Sequence, residues 1–150
     1  MLKRSRKTIV AIALLSILMA SSVVAFAEQE VDVYAISETG AEPRWTYLYE
    51  ISNGLNINQY EITAAASTIA YGNNRAYVTV VVQQKQANGS YEDYVEFSDN
   101  AIGGVAASKT LTVPYGTYRV VSYHSAGSGD NMEYKSLVAP DKRVPHDTGK

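Results

Sequence analysis

The sequence predicts an all-β protein, a single antiparallel β-sandwich of about seven to eight strands preceded by a signal peptide, and two observations carry this prediction. Apolar and aromatic residues alternate with polar residues along most of the chain after residue 44, which is the period of a half-buried strand. Turn residues interrupt the alternation about every ten residues, as in sandwiches and barrels. The chain holds no cysteine, so its hydrophobic core must stabilise the domain without disulfides. A small β-barrel is the alternative, because periodicity does not separate the two architectures.

The first 27 residues have the three parts of a cleavable signal peptide. Four basic residues fall within the first seven, an apolar stretch covers residues 9–18, and small residues lead to Ala25 and Ala27. Small side chains at these two positions favour cleavage after Ala27. An uncleaved anchor is the alternative, since residues 9–27 are just long enough to cross a bilayer. We expect a secreted, extracellular protein with no stable membrane anchor after cleavage.

The rest of the chain divides into three segments by composition. Residues 28–43 are polar and acidic and predict a flexible leader that can add an edge strand. Residues 44–138 carry the strand pattern and form the predicted domain. Residues 139–150 contain two prolines, several charges and no apolar period, which predicts a disordered tail.

The first strands of the domain follow from Trp45. Aromatic and apolar residues alternate from Trp45 to Ile51, and Asn53-Gly54 then predicts a turn. The alternation resumes and continues toward Tyr71. Its alanine-rich part, residues 63–70, is interpreted as strand because no convincing helix cap precedes it and a turn follows at residues 72–74.

Asn88-Gly89 predicts a tight two-residue hairpin turn between two strands, residues 76–86 and 91–98. The register that follows from this turn pairs apolar with apolar and polar with polar residues: Val82 with Val95, Val80 with Phe97, Lys85 with Glu92, and Gln83 with Tyr94.

The remaining strands are separated by glycine- and proline-containing turns. A loop at Gly103-Gly104 precedes a strand over residues 105–113, and residues 114–116 reverse the chain. If that reversal is a four-residue hairpin loop, Val120 faces Leu111. A turn at residues 127–130 and a last strand over residues 132–138 complete the domain.

The segment around the 114–116 reversal resembles a series found in fibronectin type III domains. That series is carried here by Leu111, Pro114, Gly116, Thr117, Tyr118 and Val120. The resemblance implies a corner hydrogen bond from the Tyr118 hydroxyl. The chain departs from the series by one extra residue before Pro114.

The layout of the whole chain also resembles uncharacterised small secreted β-sandwich proteins of Gram-positive bacteria. The motifs that carry this resemblance are the signal peptide, Arg44-Trp45-Thr46-Tyr47, the turn at residues 72–77, Asn88-Gly89-Ser90-Tyr91 and residues 116–120. That group implies no activity.

The charge of the chain argues against nucleic acid as a partner. Four of the 13 basic residues lie in the signal peptide, so nine remain against 15 acidic residues, a net charge of about −6. Such a surface disfavours nucleic acids and anionic membranes.

The residues suited to catalysis or metal binding form no recognised motif. A Ser-His-Asp set drawn from His124, a serine and Asp130 lacks a nucleophile elbow, so His124 is interpreted as structural. Glu92 and Glu96 share a predicted face about 13 Å apart, too far for glycoside hydrolysis. Acids and amides in turns suggest calcium only weakly: Asp99, Asn100, Asp130 and Asn131. We expect no enzyme, no catalytic residue, no cofactor and no metal.

Tyrosine is the unusual component of the composition, with 12 residues. Tyrosine combines a flat apolar ring with a polar tip, which suits binding surfaces. We predict a secreted, non-enzymatic binding module for a glycan, cell-wall or protein ligand, with binding residues Tyr94, Tyr123, Tyr91 and Tyr115. A small bacteriocin-like or toxin-like effector is the alternative.

Overall fold

The computed structural model describes residues 36–39 and 45–146, which contain nine β-strands. In chain order they are β1 (Ile36–Thr39), β2 (Leu48–Asn58), β3 (Glu61–Ala70), β4 (Arg75–Lys85), β5 (Tyr91–Ile102), β6 (Gly104–Thr112), β7 (Gly116–Ser128), β8 (Asn131–Val138) and β9 (Lys142–Val144). The predicted signal peptide lies outside the described residues, as do the remaining parts of the leader and residues 147–150.

The strands form two antiparallel sheets, which confirms the predicted β-sandwich. The first sheet has the order β1-β2-β3-β6, and the second has the order β5-β4-β7-β8. Strand β9 pairs with the first residues of β7, beyond the end of β8. Two of the nine strands, β1 and β9, come from the segments predicted as leader and tail.

The predicted disordered tail over residues 139–150 is wrong for the segment that forms β9. Lys142–Val144 pairs with Gly116–Tyr118 of β7, and the side chains of Ala139 and Val144 are buried. A three-residue strand is too short to show an alternating pattern in the sequence. The predicted leader contributes β1, which pairs with β2. It is the edge strand that we expected this segment to be able to add.

The chain crosses between the sheets at the β3–β4, β5–β6 and β6–β7 connections, which places β6 beside β3 and β7 beside β4. The prediction that Val120 faces Leu111 is therefore wrong. Leu111 pairs with Ile62 of β3, whereas Val120 pairs with Val82 of β4. Residues 113–115 lead from one sheet to the other and do not form a hairpin within a single sheet.

The predicted turn at Asn53-Gly54 is also wrong, because β2 continues through both residues. Asn53 is buried and its side-chain amide donates a hydrogen bond to Ser122 Oγ (2.9 Å). The chain turns instead after Asn58, where Gln59 has a φ of 54°. That conformation usually selects glycine or asparagine, so the sequence carries no turn signal here.

The β4–β5 hairpin confirms the apolar pairs of the predicted register. Val82 faces Val95 and Val80 faces Phe97. The turn itself differs, because Gly89 N donates to Gln86 O (2.9 Å) and Gln86 N donates to Ser90 O (2.8 Å). These bonds close a three-residue loop over residues 87–89, with only Gly89 at positive φ.

A β-bulge at Tyr94 restores the register that the longer loop shifts by one residue. Lys85 faces Tyr91 and Gln83 faces Asp93, so the predicted Lys85–Glu92 and Gln83–Tyr94 pairs are wrong. The register then changes between Val82 and Gln83, which leaves Tyr94 as the additional residue of β5. The extra residue in the loop and the extra residue in the strand offset each other.

The core between the sheets consists of two apolar clusters. The larger is built on alternate residues of β3, β4 and β7, including Val78, Val80 and Val120. The smaller includes Leu48, Ile51 and Leu137. Burying apolar surface in this way stabilises the fold by about 25 cal/mol per Å².

Tyr118 closes one end of the larger cluster and forms the predicted corner hydrogen bond. Its ring is fully buried, and its hydroxyl donates to the carbonyl oxygen of Pro114 (2.9 Å). Burial, together with the neighbouring Tyr94, raises the pKa of Tyr118 to about 12. The hydroxyl therefore stays protonated at neutral pH and fixes the start of β7.

Candidate functional site

The outer side of the second sheet carries three tyrosines on adjacent strands. Val78, Val80 and Val120 point into the core, so residues of opposite parity on these strands point outward. Tyr77 of β4 and Tyr134 of β8 lie on either side of Ser125 in β7. Tyr123 lies two residues before Ser125 and points to the same side.

These positions bring the three rings into one patch. Diagonal cross-strand neighbours are about 7–8 Å apart, which is the relation of Tyr123 to both other tyrosines. Tyr77 and Tyr134 are two strand spacings apart, about 10 Å. We name the patch formed by Tyr77, Tyr123, Tyr134 and Val138 the tyrosine face.

The tyrosine face is open to solvent. The exposed fractions are 39% for Tyr77, 52% for Tyr123, 71% for Tyr134 and 49% for Val138. No other described residue forms a hydrogen bond with the three hydroxyls. Adjacent aromatic rings with unpaired polar tips can stack on a flat apolar surface and also form hydrogen bonds at its rim.

Of the four tyrosines predicted as binding residues, the tyrosine face includes Tyr123 alone. Tyr94 is 43% exposed but packs edge-on against the inward-pointing Tyr118, with ring centroids 5.7 Å apart. The bulge gives Tyr94 this orientation, because it interrupts the alternation of β5 at that residue. Tyr94 and Tyr123 therefore lie on different sides of the sheet.

Tyr91 and Tyr115 lie together at the far end of the same outer surface, where each contacts an arginine. The guanidinium of Arg119 lies 3.5 Å from the centroid of the Tyr91 ring. Arg143 Nη2 donates to the Tyr115 hydroxyl (2.7 Å), and the Tyr91 hydroxyl donates to Asp141 Oδ2. These two tyrosines form a second cluster, separate from the tyrosine face.

Sequence reasoning did not select Tyr77 and Tyr134 as binding residues. The parity of Tyr77 relative to Val78 and Val80 indicated that it points outward. The order β4-β7-β8 that makes the strands neighbours depends on long-range pairing, which the local pattern does not contain.

His124 belongs to a chain of buried polar side chains that links the two sheets. Its Nε2 lies 2.7 Å from Ser122 Oγ, and its Nδ1 lies 2.8 Å from Thr68 Oγ1. Asn53 Nδ2 donates to Ser122 Oγ (2.9 Å), and Thr68 Oγ1 donates to the carbonyl oxygen of Tyr77 (3.0 Å). We name these four side chains, Asn53, Ser122, His124 and Thr68, the polar chain.

The direction of these hydrogen bonds fixes the tautomer of His124. Thr68 has one hydroxyl proton and gives it to Tyr77 O, so Thr68 must accept from His124 Nδ1–H. Nε2 is then the acceptor and Ser122 is its donor. Burial lowers the pKa of His124 to about 4, so the ring is neutral at pH 7; a hydrogen bond to the backbone of Ser67 opposes this shift only in part.

We interpret the polar chain as a structural part of the core and not as a reactive site. Ser122 is fully buried and His124 is 1% exposed, so neither side chain is accessible to a substrate. Asp130 lies in the exposed β7–β8 turn and is not a member of the polar chain. Asn53 Oδ1 is buried without a hydrogen-bond partner among the described residues.

The acidic residues singled out in the sequence are dispersed. The bulge places Glu92 opposite Gln84 and Glu96 opposite Val81, so the two do not share a face as predicted. Lys85 pairs with Asp141 (3.7 Å) and not with Glu92. Asp99 Oδ1 accepts from Asn100 N and Asn100 Oδ1 accepts from Arg75 Nη1, both at 2.7 Å.

Within residues 36–39 and 45–146, no group of three or more histidines and acidic residues could hold a metal ion. The same part of the chain contains no helix with the length and apolar character of a membrane span.

Neither a protein-family model nor the sequence of a curated protein matches the chain.

Proposed function

We propose that the chain is a secreted, non-enzymatic binding module whose tyrosine face contacts an extracellular glycan. The observation that carries this proposal is the placement of Tyr77, Tyr123 and Tyr134 on three neighbouring strands with their rings exposed. Strand pairing fixes the backbone positions of the three tyrosines, so their spacing is set before a ligand binds. A row of flat rings suits sugar rings, which present apolar C–H faces and polar rims.

The sequence supports the extracellular setting of this proposal. Residues 1–27 have the signal-peptide pattern. We expect that protein recovered from the medium of secreting cells begins at Glu28. Intact mass measurement tests this, and a protein that retains residues 1–27 in the membrane fraction would contradict the export step.

We also propose that the sandwich is similar to fibronectin type III domains. The corner hydrogen bond of Tyr118 and the strand order of the two sheets support it, since immunoglobulin-type sandwiches place a corner tyrosine at the start of an equivalent central strand. Such a fold implies a scaffold and no particular activity.

Binding assays with variants of the tyrosine face test the proposed function. We expect the purified protein to bind one or more polysaccharides or cell-wall preparations saturably, and the Tyr77→Ala/Tyr123→Ala double variant to lose that binding. Tyr94→Ala is the matched control, because Tyr94 is comparably exposed and points away from the face. Equal loss in the control and the double variant, or no saturable binding, would contradict the proposal.

A further inference from the structure

A group of cations lies beside the tyrosine face on the same outer surface of the second sheet. On β7, Arg119 lies four residues from Tyr123 and points to the same side. Arg143 of β9 is opposite Thr117 of β7, next to Arg119 along the surface. Lys85 of β4 lies at the end of the same row. We name Lys85, Arg119 and Arg143 the cationic end.

The two arginines of the cationic end are held by aromatic rings and neutral oxygens. Arg119 stacks on Tyr91 at 3.5 Å from the ring centroid, and its Nε donates to Gln83 Oε1 (2.9 Å). Arg143 lies 5.4 Å from the centroid of the Tyr115 ring and donates to the Tyr115 hydroxyl. Each guanidinium has five N–H donors, so most of its donors remain available.

No carboxylate of the described residues pairs with either arginine. The ion pair in this region joins Lys85 to Asp141 (3.7 Å), and Asp141 also accepts from Tyr91. Unpaired arginines are unexpected on a chain whose residues 28–150 carry a net charge of about −6. Their stacking and hydrogen bonds orient the guanidinium groups without neutralising them.

Apart from Asp141, which is paired with Lys85, the carboxylates on this outer surface lie along another edge. Asp93 and Glu96 belong to β5, the edge strand, and Asp93 accepts from Gln83 Nε2 (2.7 Å). At this end of the sheet the two arginines lie on β7 and β9, whereas the remaining carboxylates lie on β5. This charge distribution favours binding of an anionic ligand along β7, the strand that also carries Tyr123.

We propose that the ligand is an acidic polysaccharide, with sugar rings on the tyrosine face and carboxylates paired with Arg119 and Arg143. The inference rests on the proposed function and names the ligand class of the same surface. Tyr123 and Arg119 are about 13 Å apart along the strand, so the ligand is an oligosaccharide or longer chain. Arginine forms two parallel hydrogen bonds with a carboxylate, which a neutral sugar does not offer.

Polygalacturonate and its methyl-esterified form provide a matched pair of probes, because they differ in the charge of the carboxyl groups. We expect the protein to bind polygalacturonate at least about tenfold more tightly than the ester, a difference of about 1.4 kcal/mol. Raising the salt concentration should reduce this preference, since exposed charges are screened.

Variants separate the two parts of the surface. We expect Arg119→Gln/Arg143→Gln to bind polygalacturonate about as weakly as the wild type binds the ester, and to leave binding of the ester unchanged. Lys109→Gln is the control, because Lys109 is exposed on β6 of the first sheet. The thermal midpoint of each variant shows whether the fold is retained.

Each result supports or overturns the inference. Equal binding of the two probes, with no effect of the arginine substitutions, would overturn the ligand class and leave the tyrosine face as a neutral-glycan site. Loss of binding only in the arginine variant, with Tyr77→Ala/Tyr123→Ala unaffected, would overturn the proposed function. A preference for a phosphate-bearing polymer over polygalacturonate, or binding of neither probe, would also overturn the assignment to a carboxylated polysaccharide.

Discussion

His124 is the residue whose burial has the clearest consequence for stability. Its pKa is lowered to about 4 in the folded protein, against 6.5 in an exposed histidine, chiefly because burial removes solvent from the ring. Between these two values the unfolded chain binds a proton that the native state excludes. Acidification therefore favours the unfolded state over this window.

We predict that the free energy of unfolding falls by about 2 kcal/mol between pH 7 and pH 5 because of His124. Urea unfolding at the two pH values measures this change. The His124→Gln variant should be less stable at pH 7 and should show a smaller pH dependence than the wild type. An identical pH dependence in both proteins would contradict the assignment.

Tyr118 offers a second test at the scale of one residue. Removing its hydroxyl in Tyr118→Phe leaves the carbonyl of Pro114 without its donor, and we expect a loss of about 1 kcal/mol in the free energy of unfolding. Tyr123→Phe is the control, because no described residue forms a hydrogen bond with the Tyr123 hydroxyl, and its stability should be unchanged. Chemical denaturation of both variants decides whether the corner bond contributes to stability.

At the scale of the element, the β7–β8 hairpin depends on two glycines for different reasons. A side chain at Gly127 (φ 141°) would overlap the backbone carbonyl of Asn131, whereas a side chain at Gly129 (φ 58°) would meet no neighbouring atom. The backbone contact cannot be relieved by rotating a side chain. The first position therefore requires glycine for space and conformation, and the second only for conformation.

We predict that Gly127→Ala lowers the free energy of unfolding by more than about 3 kcal/mol, and that Gly129→Ala lowers it by about 1 kcal/mol. Thermal unfolding followed by circular dichroism gives the two midpoints. Equal effects of the two substitutions would show that the hairpin can shift to accommodate a side chain at Gly127.

At the scale of the whole molecule, one carboxylate joins the two sheets. Glu133 of β8 accepts hydrogen bonds from three consecutive backbone N–H groups at the start of the first sheet, those of Thr46, Tyr47 and Leu48, at 2.8–3.1 Å. Burial by itself would raise the pKa of Glu133. The three hydrogen bonds, assisted by Lys135, lower this pKa below its ordinary value.

We predict that Glu133→Gln lowers the free energy of unfolding by about 1–2 kcal/mol, because a neutral amide accepts less strongly and its NH₂ opposes the backbone donors. The lowered pKa means that this stabilisation is present at neutral pH and is lost as the carboxylate becomes protonated in acid. Glu96→Gln is the control, since Glu96 is exposed on β5. Comparison of urea midpoints tests the prediction, and equal midpoints for both variants would contradict it.

The sequence by itself determined the all-β class, most of the strands and the side of β4 that faces the core. These properties are local, because alternation along a strand records which side is buried. For the same reason the Val82–Val95 and Val80–Phe97 pairs were predictable, because their apolar side chains must share the core. The corner hydrogen bond of Tyr118 also followed from a short local series.

Only the tertiary structure decided the pairings that depend on distant residues. The bulge at Tyr94 offsets a loop residue several positions away, and Asn53 stays within a strand because Ser122 satisfies its amide. Val144 belongs to the fold because it pairs with Gly116 of β7 and packs in the larger apolar cluster. The tyrosine face depends on the order β4-β7-β8, and the sequence records the composition of each strand but not which strands become neighbours.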